Sequence, residues 1–93
     1  MTRDTLQTIL RAAGNLQEKA NSFKANAEQR LTFYIGDDGR GLAVSSVEEA
    51  RLEDAFVLLK TKESATVFAD YAAIFAVSVQ PPKENAPKKA GFA

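Results

Sequence analysis

Two short apolar runs in the second half of the chain predict a pair of buried strands. Phe56 to Leu59 is apolar throughout, Ala65 to Phe68 is rich in β-branched and aromatic side chains, and polar residues 61–64 separate them. Apolar runs of this length are typical of strands covered on both faces. A further run, Ile74 to Val79, precedes Pro81-Pro82 and predicts the last strand.

Leu31 to Ile35 predicts an earlier strand that ends in a hairpin turn. Gly36-Asp-Asp-Gly39 follows it, and Asp-Gly between two strand-like runs indicates a hairpin because its central residues must tolerate positive φ. The adjacent Phe33 and Tyr34 point to opposite faces of the strand. One of them should therefore be exposed if one face is buried. Phe33, with Phe56 and Phe68, is expected mainly in the core, because large aromatic residues in strands usually pack.

The start of the chain predicts an amphipathic helix. Asp4 with Gln7 matches a capping box, and Gly14 can end the helix. The apolar residues that share one face of this helix are Leu6, Ile9, Leu10 and Ala13.

Residues 15–30 continue an apolar stripe at helical spacing and predict a second helix. Asn15 is the candidate N-cap, with Glu18 at its N3 position. The stripe comprises Leu16, Ala20, Phe23 and Ala27. We favour helices packed on a sheet, and a thin, alanine-rich coiled-coil seam is the alternative.

Residues 46–60 fit both a helix and strands. Ser46 with Glu49 forms a second capping box. Leu52, Ala55, Phe56 and Leu59 recur at helical spacing. A lone short helix would expose part of the apolar run 56–59, whereas a sheet buried on both faces would not. The sequence leaves both interpretations open here.

Composition narrows the classes of function. A chain of 93 residues forms one small domain that buries about two-thirds of its unfolded surface, so a second copy would strengthen its core. Twelve basic and twelve acidic residues cancel, which argues against a nonspecific binder of duplex nucleic acid. Without histidine or cysteine, we expect no enzymatic activity, no metal and no cofactor. We also expect a cytoplasmic location and no membrane partner, because no apolar run approaches the roughly 20 residues that span a bilayer.

Three segments occur in an order and at spacings that match a known family. They are Leu16-Gln17, Leu31-Thr-Phe-Tyr-Ile35 and Asp54-Ala-Phe-Val-Leu-Leu-Lys60, followed by Ser64 and Val67-Phe68. In these segments the chain resembles the bacterial Sm-like RNA chaperone family, Hfq, over residues 16–79. It departs from the family where Ala69-Asp70 replaces a Lys-His pair, and the link from Gly39 to Asp54 is several residues longer.

The resemblance implies an α+β fold with an N-terminal helix or helix pair on a small, strongly bent, five-stranded antiparallel Sm-like sheet or barrel. Residues 1–14 would be a helical extension and residues 15–80 the Sm-like domain. Residues 81–93, rich in Lys, Pro and Ala, would be a flexible tail. Members of the family pair their edge strands into a ring, commonly of six, so we expect a homo-oligomeric ring.

The resemblance also implies binding of single-stranded RNA, because unpaired bases stack on aromatic rings. Gln17 and Phe56 match residues of the pore-side face, where the family binds uridines, and Tyr34 matches the opposite face, where it stacks purines. Arg40, just after the hairpin turn, is either a phosphate contact or a solvated loop charge. Since Asp70 replaces a cation and would repel phosphate, we expect A-rich strands to bind better than U-rich ones.

Two other classes of function fit the same sequence. A non-enzymatic adaptor or inhibitor would bind a basic protein partner through the acidic segment Glu48 to Asp54. A small nucleotide-sequestering oligomer would stack its ligand on Tyr34 or Phe56 at a subunit interface. Salt dependence separates RNA from a small ligand, because RNA affinity falls steeply with salt.

Overall fold

The computed structural model describes residues 1–14, 16–26, 28–37 and 40–80. The predicted N-cap Asn15, the turn residues Asp38-Gly39 and the predicted tail 81–93 lie outside the described residues. In chain order the elements are helix α1 (Arg3–Ala13), strands β1 (Gln17–Lys19), β2 (Ser22–Lys24), β3 (Arg30–Asp37), β4 (Arg40–Leu52), β5 (Phe56–Thr61) and β6 (Thr66–Asp70), a 3₁₀ turn (Tyr71–Ala73) and strand β7 (Ile74–Gln80). Within the described ranges, no helix is long and apolar enough to cross a membrane.

Helix α1 begins two residues earlier than its capping box predicts. Thr2 is the N-cap, and its hydroxyl accepts a hydrogen bond of 3.1 Å from the Thr5 amide. Asp4 instead lies in the first turn, where a carboxylate interacts favourably with the helix dipole. Leu6 and Leu10 are buried against the sheet, so the apolar face predicted for this helix is the one that packs.

Residues 17–24 form the β1–β2 hairpin, so the second helix and the coiled-coil alternative are wrong. Ala20 takes a left-handed φ of 56° in the hairpin turn. Phe23 is fully buried and lies opposite Ala50 of β4. Two of the four residues in the predicted stripe are alanine, which gains little from burial. Pairing with β4 and the burial of Phe23 outweigh helix propensity here.

The long strand β4 organises the sheet. Its first half pairs with β3, its second half pairs with both β2 and β5, β7 pairs with β3, and β6 pairs with β5, all antiparallel. The five longer strands therefore follow the order β7-β3-β4-β5-β6 in a strongly curled half-barrel behind α1. This confirms the predicted α+β Sm-like fold, to which β1 and β2 add two short strands.

Two bulges bend β4. The partners of β3 shift between Leu31 and Phe33, where Ser46 takes a φ of 57°, and those of β5 shift across Glu48. The buried residues Val44, Val47 and Ala50 consequently recur every three positions instead of every two. A bulge inserts an extra residue and increases the local bend. Residues 46–60 form the end of β4, a turn and most of β5, so their helical interpretation is wrong; Leu52 and Leu59 are buried on two paired strands.

A hydrogen-bonded clamp ties α1 to two connections of the sheet. The Tyr71 hydroxyl donates to the Glu53 carbonyl at 2.5 Å, and the Arg3 guanidinium donates to the carbonyls of Leu52 and Glu53 at 3.3 Å. The helix, the β4–β5 turn and the 3₁₀ turn are thus held together. The buried hydrophobic core beneath them comprises Leu6, Leu10, Phe23, Leu31, Phe33, Val44, Val47, Ala50, Leu52, Val57, Leu59, Ala69, Tyr71 and Ile74.

Candidate nucleic-acid interface

Each half of the curled sheet carries one aromatic pair on its outer face. The ring centroids of Tyr34 and Phe75 are 6.2 Å apart, and those of Phe56 and Phe68 are 5.8 Å apart. Phe68 and Phe75 expose 63% and 61% of their surface. Large, exposed aromatic side chains that lie in pairs on a sheet are groups on which a planar ligand can stack.

Strand β3 places Tyr34 on the outer face because Phe33 occupies the core. Phe33 is fully buried and Tyr34 is half-buried, which confirms the predicted alternation. Tyr34 lies opposite Ala43 of β4 and Ala76 of β7. These small neighbours leave space around the tyrosine ring.

A bulge in β7 brings Phe75 to the Tyr34 ring. Tyr34 pairs with Ala76 and Ile35 pairs with Ile74, so Phe75 is the inserted residue. A Cβ atom added at Gly41 would lie 3.6 Å from the Phe75 ring, so this ring lies over a glycine. The sequence prediction missed Phe75, because a bulge leaves no mark on the apolar run in which it occurs.

Phe56 and Phe68 are more exposed than the sequence predicted. Phe68 was expected in the core, but its neighbour Ala69 is buried and Phe68 points outward. Phe56 is half-buried, and Val57 takes the core position beside it. Phe56 lies opposite Asp70, whose carboxylate accepts a hydrogen bond of 3.0 Å from the Ala72 amide. A negative charge therefore lies beside the Phe56 ring.

The four residues predicted to bind RNA occupy separate places. Tyr34 and Arg40 share the β3–β4 hairpin, where Arg40 is exposed opposite Asp37. Gln17 is exposed on β1, not on a helix as expected, and Phe56 lies on β5. Three strand spacings, about 14 Å along the sheet, separate the strand of Gln17 from that of Phe56. The fold thus does not bring these two residues together in one pocket of a single chain.

Gln17 lines a shallow depression on the outer face of the sheet. Its volume is about 320 Å³, and the other lining residues are Lys19, Ser22, Lys24 and Glu49. The depression is polar and carries more positive than negative side chains.

The acidic segment Glu48 to Asp54 is interleaved with basic side chains. Glu49 lies between Lys24 and Lys60 in the strand pairing. A carboxylate oxygen of Glu53 lies 3.7 Å from the guanidinium of Arg51. Positive neighbours within the same molecule therefore offset part of this acidic charge.

Strands β6 and β7 each leave one edge open. Among the described strands, β6 pairs with β5 alone and β7 with β3 alone. Val67 on β6, with Val77 and Val79 on β7, packs against the core but is only partly buried. Open edges with apolar side chains favour pairing with another strand.

Comparisons with protein-family models, curated proteins and solved structures found no match. Within the part of the chain that the structure describes, no group of three or more Asp or Glu side chains is placed to hold a metal ion.

Proposed function

We propose that the protein is a ring-forming, non-enzymatic Sm-like protein of the Hfq type that binds single-stranded RNA. The observation that carries this proposal is the position of the two aromatic pairs, each of which lies beside an open strand edge. Phe68 is on β6 and Phe75 is on β7, and both face outward.

Pairing of β6 with β7 of the next copy would cover the open edges of these two strands and continue the sheet. Val67 of one copy and Val77 of the next would then face the same inner side and gain cover. On the outer side, Phe68 of one copy and Phe75 of the next would lie on neighbouring strands. Repeated around a ring, this arrangement joins the aromatic pairs into a continuous row.

Single-stranded RNA suits such a row, because stacking of a base on an aromatic ring contributes about 1–3 kcal/mol. A-rich strands are favoured at Tyr34, since purines offer the larger stacking surface and Ala43 and Ala76 leave space for them. Arg40 on the same hairpin is free to approach a phosphate. Asp70 beside Phe56 disfavours phosphate there. The cytoplasmic location stays a prediction.

Light scattering and RNA binding together test this proposal. We expect a mass of several copies, and we expect labelled A-rich strands to bind more tightly than U-rich strands in fluorescence anisotropy. Tyr34→Ala should weaken A-rich binding roughly tenfold without changing the mass. Tyr34→Phe, which keeps a ring, is the matched control and should bind like the wild type.

Three results would count against the proposal. A monomer at all concentrations excludes the ring, and the absence of RNA binding excludes the function. Binding of a mononucleotide with little salt dependence would favour the nucleotide-sequestering alternative.

A further inference from the structure

Four cations cross the outer face of the sheet from β1 to β5. They are Lys19 on β1, Lys24 on β2, Arg51 on β4 and Lys60 on β5, here called the cationic track. All four side chains are exposed. Adjacent residues on the same strands, such as Phe23, Ala50 and Leu59, are buried, which places the track on the face opposite the core.

The strand pairing arranges the cationic track as a zigzag over two rows. One row runs through Gln17, Lys24, Glu49, Lys60 and Thr66, and the other through Lys19, Ser22, Arg51, Leu58 and Phe68. Neighbouring strands are about 4.8 Å apart, and alternate residues of one strand are about 6.8 Å apart. The Cα atoms of successive cations are therefore about 8 Å apart.

The cationic track ends at the Phe56–Phe68 ring pair. Phe68 follows Leu58 in the second row, and its ring lies 5.8 Å from that of Phe56. A line of cations that ends at exposed rings combines the two groups that bind single-stranded nucleic acid, one for phosphates and one for bases. The β1–β2 hairpin, which is additional to the five longer strands and pairs with β4, supplies two of the four cations.

Four carboxylates face this surface. Glu48, the exposed extra residue of the β4 bulge, lines the same depression as Lys60. Glu49 lies between Lys24 and Lys60, Glu53 is 3.7 Å from Arg51, and Asp70 lies opposite Phe56 at the aromatic end. The four cations and the four carboxylates therefore balance, as the charges of the whole chain do. A surface of balanced charge offers separate contacts to a few phosphates of a flexible strand, whereas a duplex presents dense charge and paired bases that cannot stack on the rings.

We propose that the cationic track is a second RNA-binding surface, which holds the phosphates of a single strand while Phe68 and Phe56 stack its bases. This inference rests on the proposed function and adds to the aromatic row a phosphate-binding surface that lies beyond Tyr34 and Phe75. Lys19, Lys24, Arg51 and Lys60 act as phosphate contacts, and none of them reads the base sequence.

The salt dependence of RNA affinity tests the cationic track. For single strands, each phosphate contact contributes about 0.7 to the slope of log affinity against log salt concentration. Lys24→Ala and Lys60→Ala should each lower that slope by about 0.7, and the double variant by about 1.4. Lys24→Arg should keep it. Arg30→Ala, an exposed cation in the other half of the sheet, should leave the slope unchanged.

Phe68→Ala tests base stacking independently of charge. It should weaken RNA binding without altering the slope of log affinity against log salt concentration. If the wild type binds RNA and the lysine variants keep its slope, the cationic track is not a site and the proposed function stands. If the wild type binds no RNA, both proposals fail. Circular dichroism of each variant checks that the fold is kept.

Discussion

At the residue scale, the role of each aromatic residue follows from the face on which its strand neighbours lie. Phe33 is buried and Tyr34 faces outward because the inner face of β3 meets the core. The same alternation exposes Phe68, since Ala69 takes the inward position on β6. Strand propensity alone predicts neither outcome, because it does not say which face is covered.

Stability measurements should show that Phe33 contributes more to the free energy of unfolding than Tyr34. Phe33→Ala should lower the free energy of unfolding by about 3–5 kcal/mol, because it leaves a cavity in the core. Tyr34→Ala should cost less, because its ring is partly exposed and packs against Phe75 outside the core. Urea denaturation measures both. The opposite ranking would mean that β3 presents its other face to the core.

Tyr71 should make the fold sensitive to alkaline pH. Burial raises the pKa of its hydroxyl above the usual value near 10, although the charge of the nearby Arg3 opposes the shift. A pKa raised in the folded state stabilises the protein below the unfolded pKa, and this stability is lost as the pH rises through the folded pKa. Urea midpoints should therefore fall above pH 10.

Tyr71→Phe should flatten this alkaline decline, since it removes the titrating group. Tyr34→Phe changes the other tyrosine of the chain and should keep the decline of the wild type. An identical decline in Tyr71→Phe would assign the effect to other groups, such as the lysines.

At the element scale, apolar runs predicted β5, β6 and β7, and the Asp-Gly signal predicted the β3–β4 hairpin. The β1–β2 hairpin could not be predicted, because its stability comes from pairing with a strand distant in sequence. The same limit applies to the candidate site. The outward position of Tyr34 could be predicted from the alternation of side chains along one strand. The position of Phe75 depends on a bulge, and that of the cationic track depends on the register of four strands.

Ser46 tests the bulge that bends β4. Its φ of 57° is costly for a residue with a Cβ atom and more so for a β-branched one. Ser46→Val should lower the free energy of unfolding by about 1–3 kcal/mol, whereas Ser46→Gly should be neutral or stabilising. Ser45→Val is the matched control and should be tolerated, because Ser45 is exposed and has no positive φ.

Unfolding midpoints in urea rank these variants. If Ser46→Val were as stable as Ser45→Val, the bulge would lie elsewhere on β4.

At the scale of the whole molecule, the half-barrel ends in two strands, β6 and β7, that each have one unpaired edge and could pair with one another between copies. β6 and β7 are joined by a three-residue 3₁₀ turn, yet they pair with different strands and present separate open edges. The clamp of Arg3 and Tyr71 on the Glu53 carbonyl holds that turn to the helix. The angle between the two edges is therefore set within each copy, which is what closure into a ring of fixed size requires.

Proline substitutions along β7 should separate assembly from folding. Successive residues of a strand direct their amides to opposite edges, so of Val77 and Ser78 one donates towards β3 and the other towards the open edge. Proline removes that donor. One of Val77→Pro and Ser78→Pro should thus unfold the protein, and the other should leave a folded monomer. Circular dichroism with light scattering distinguishes these outcomes, and a folded variant that keeps the wild-type mass would show that β7 does not supply the pairing edge.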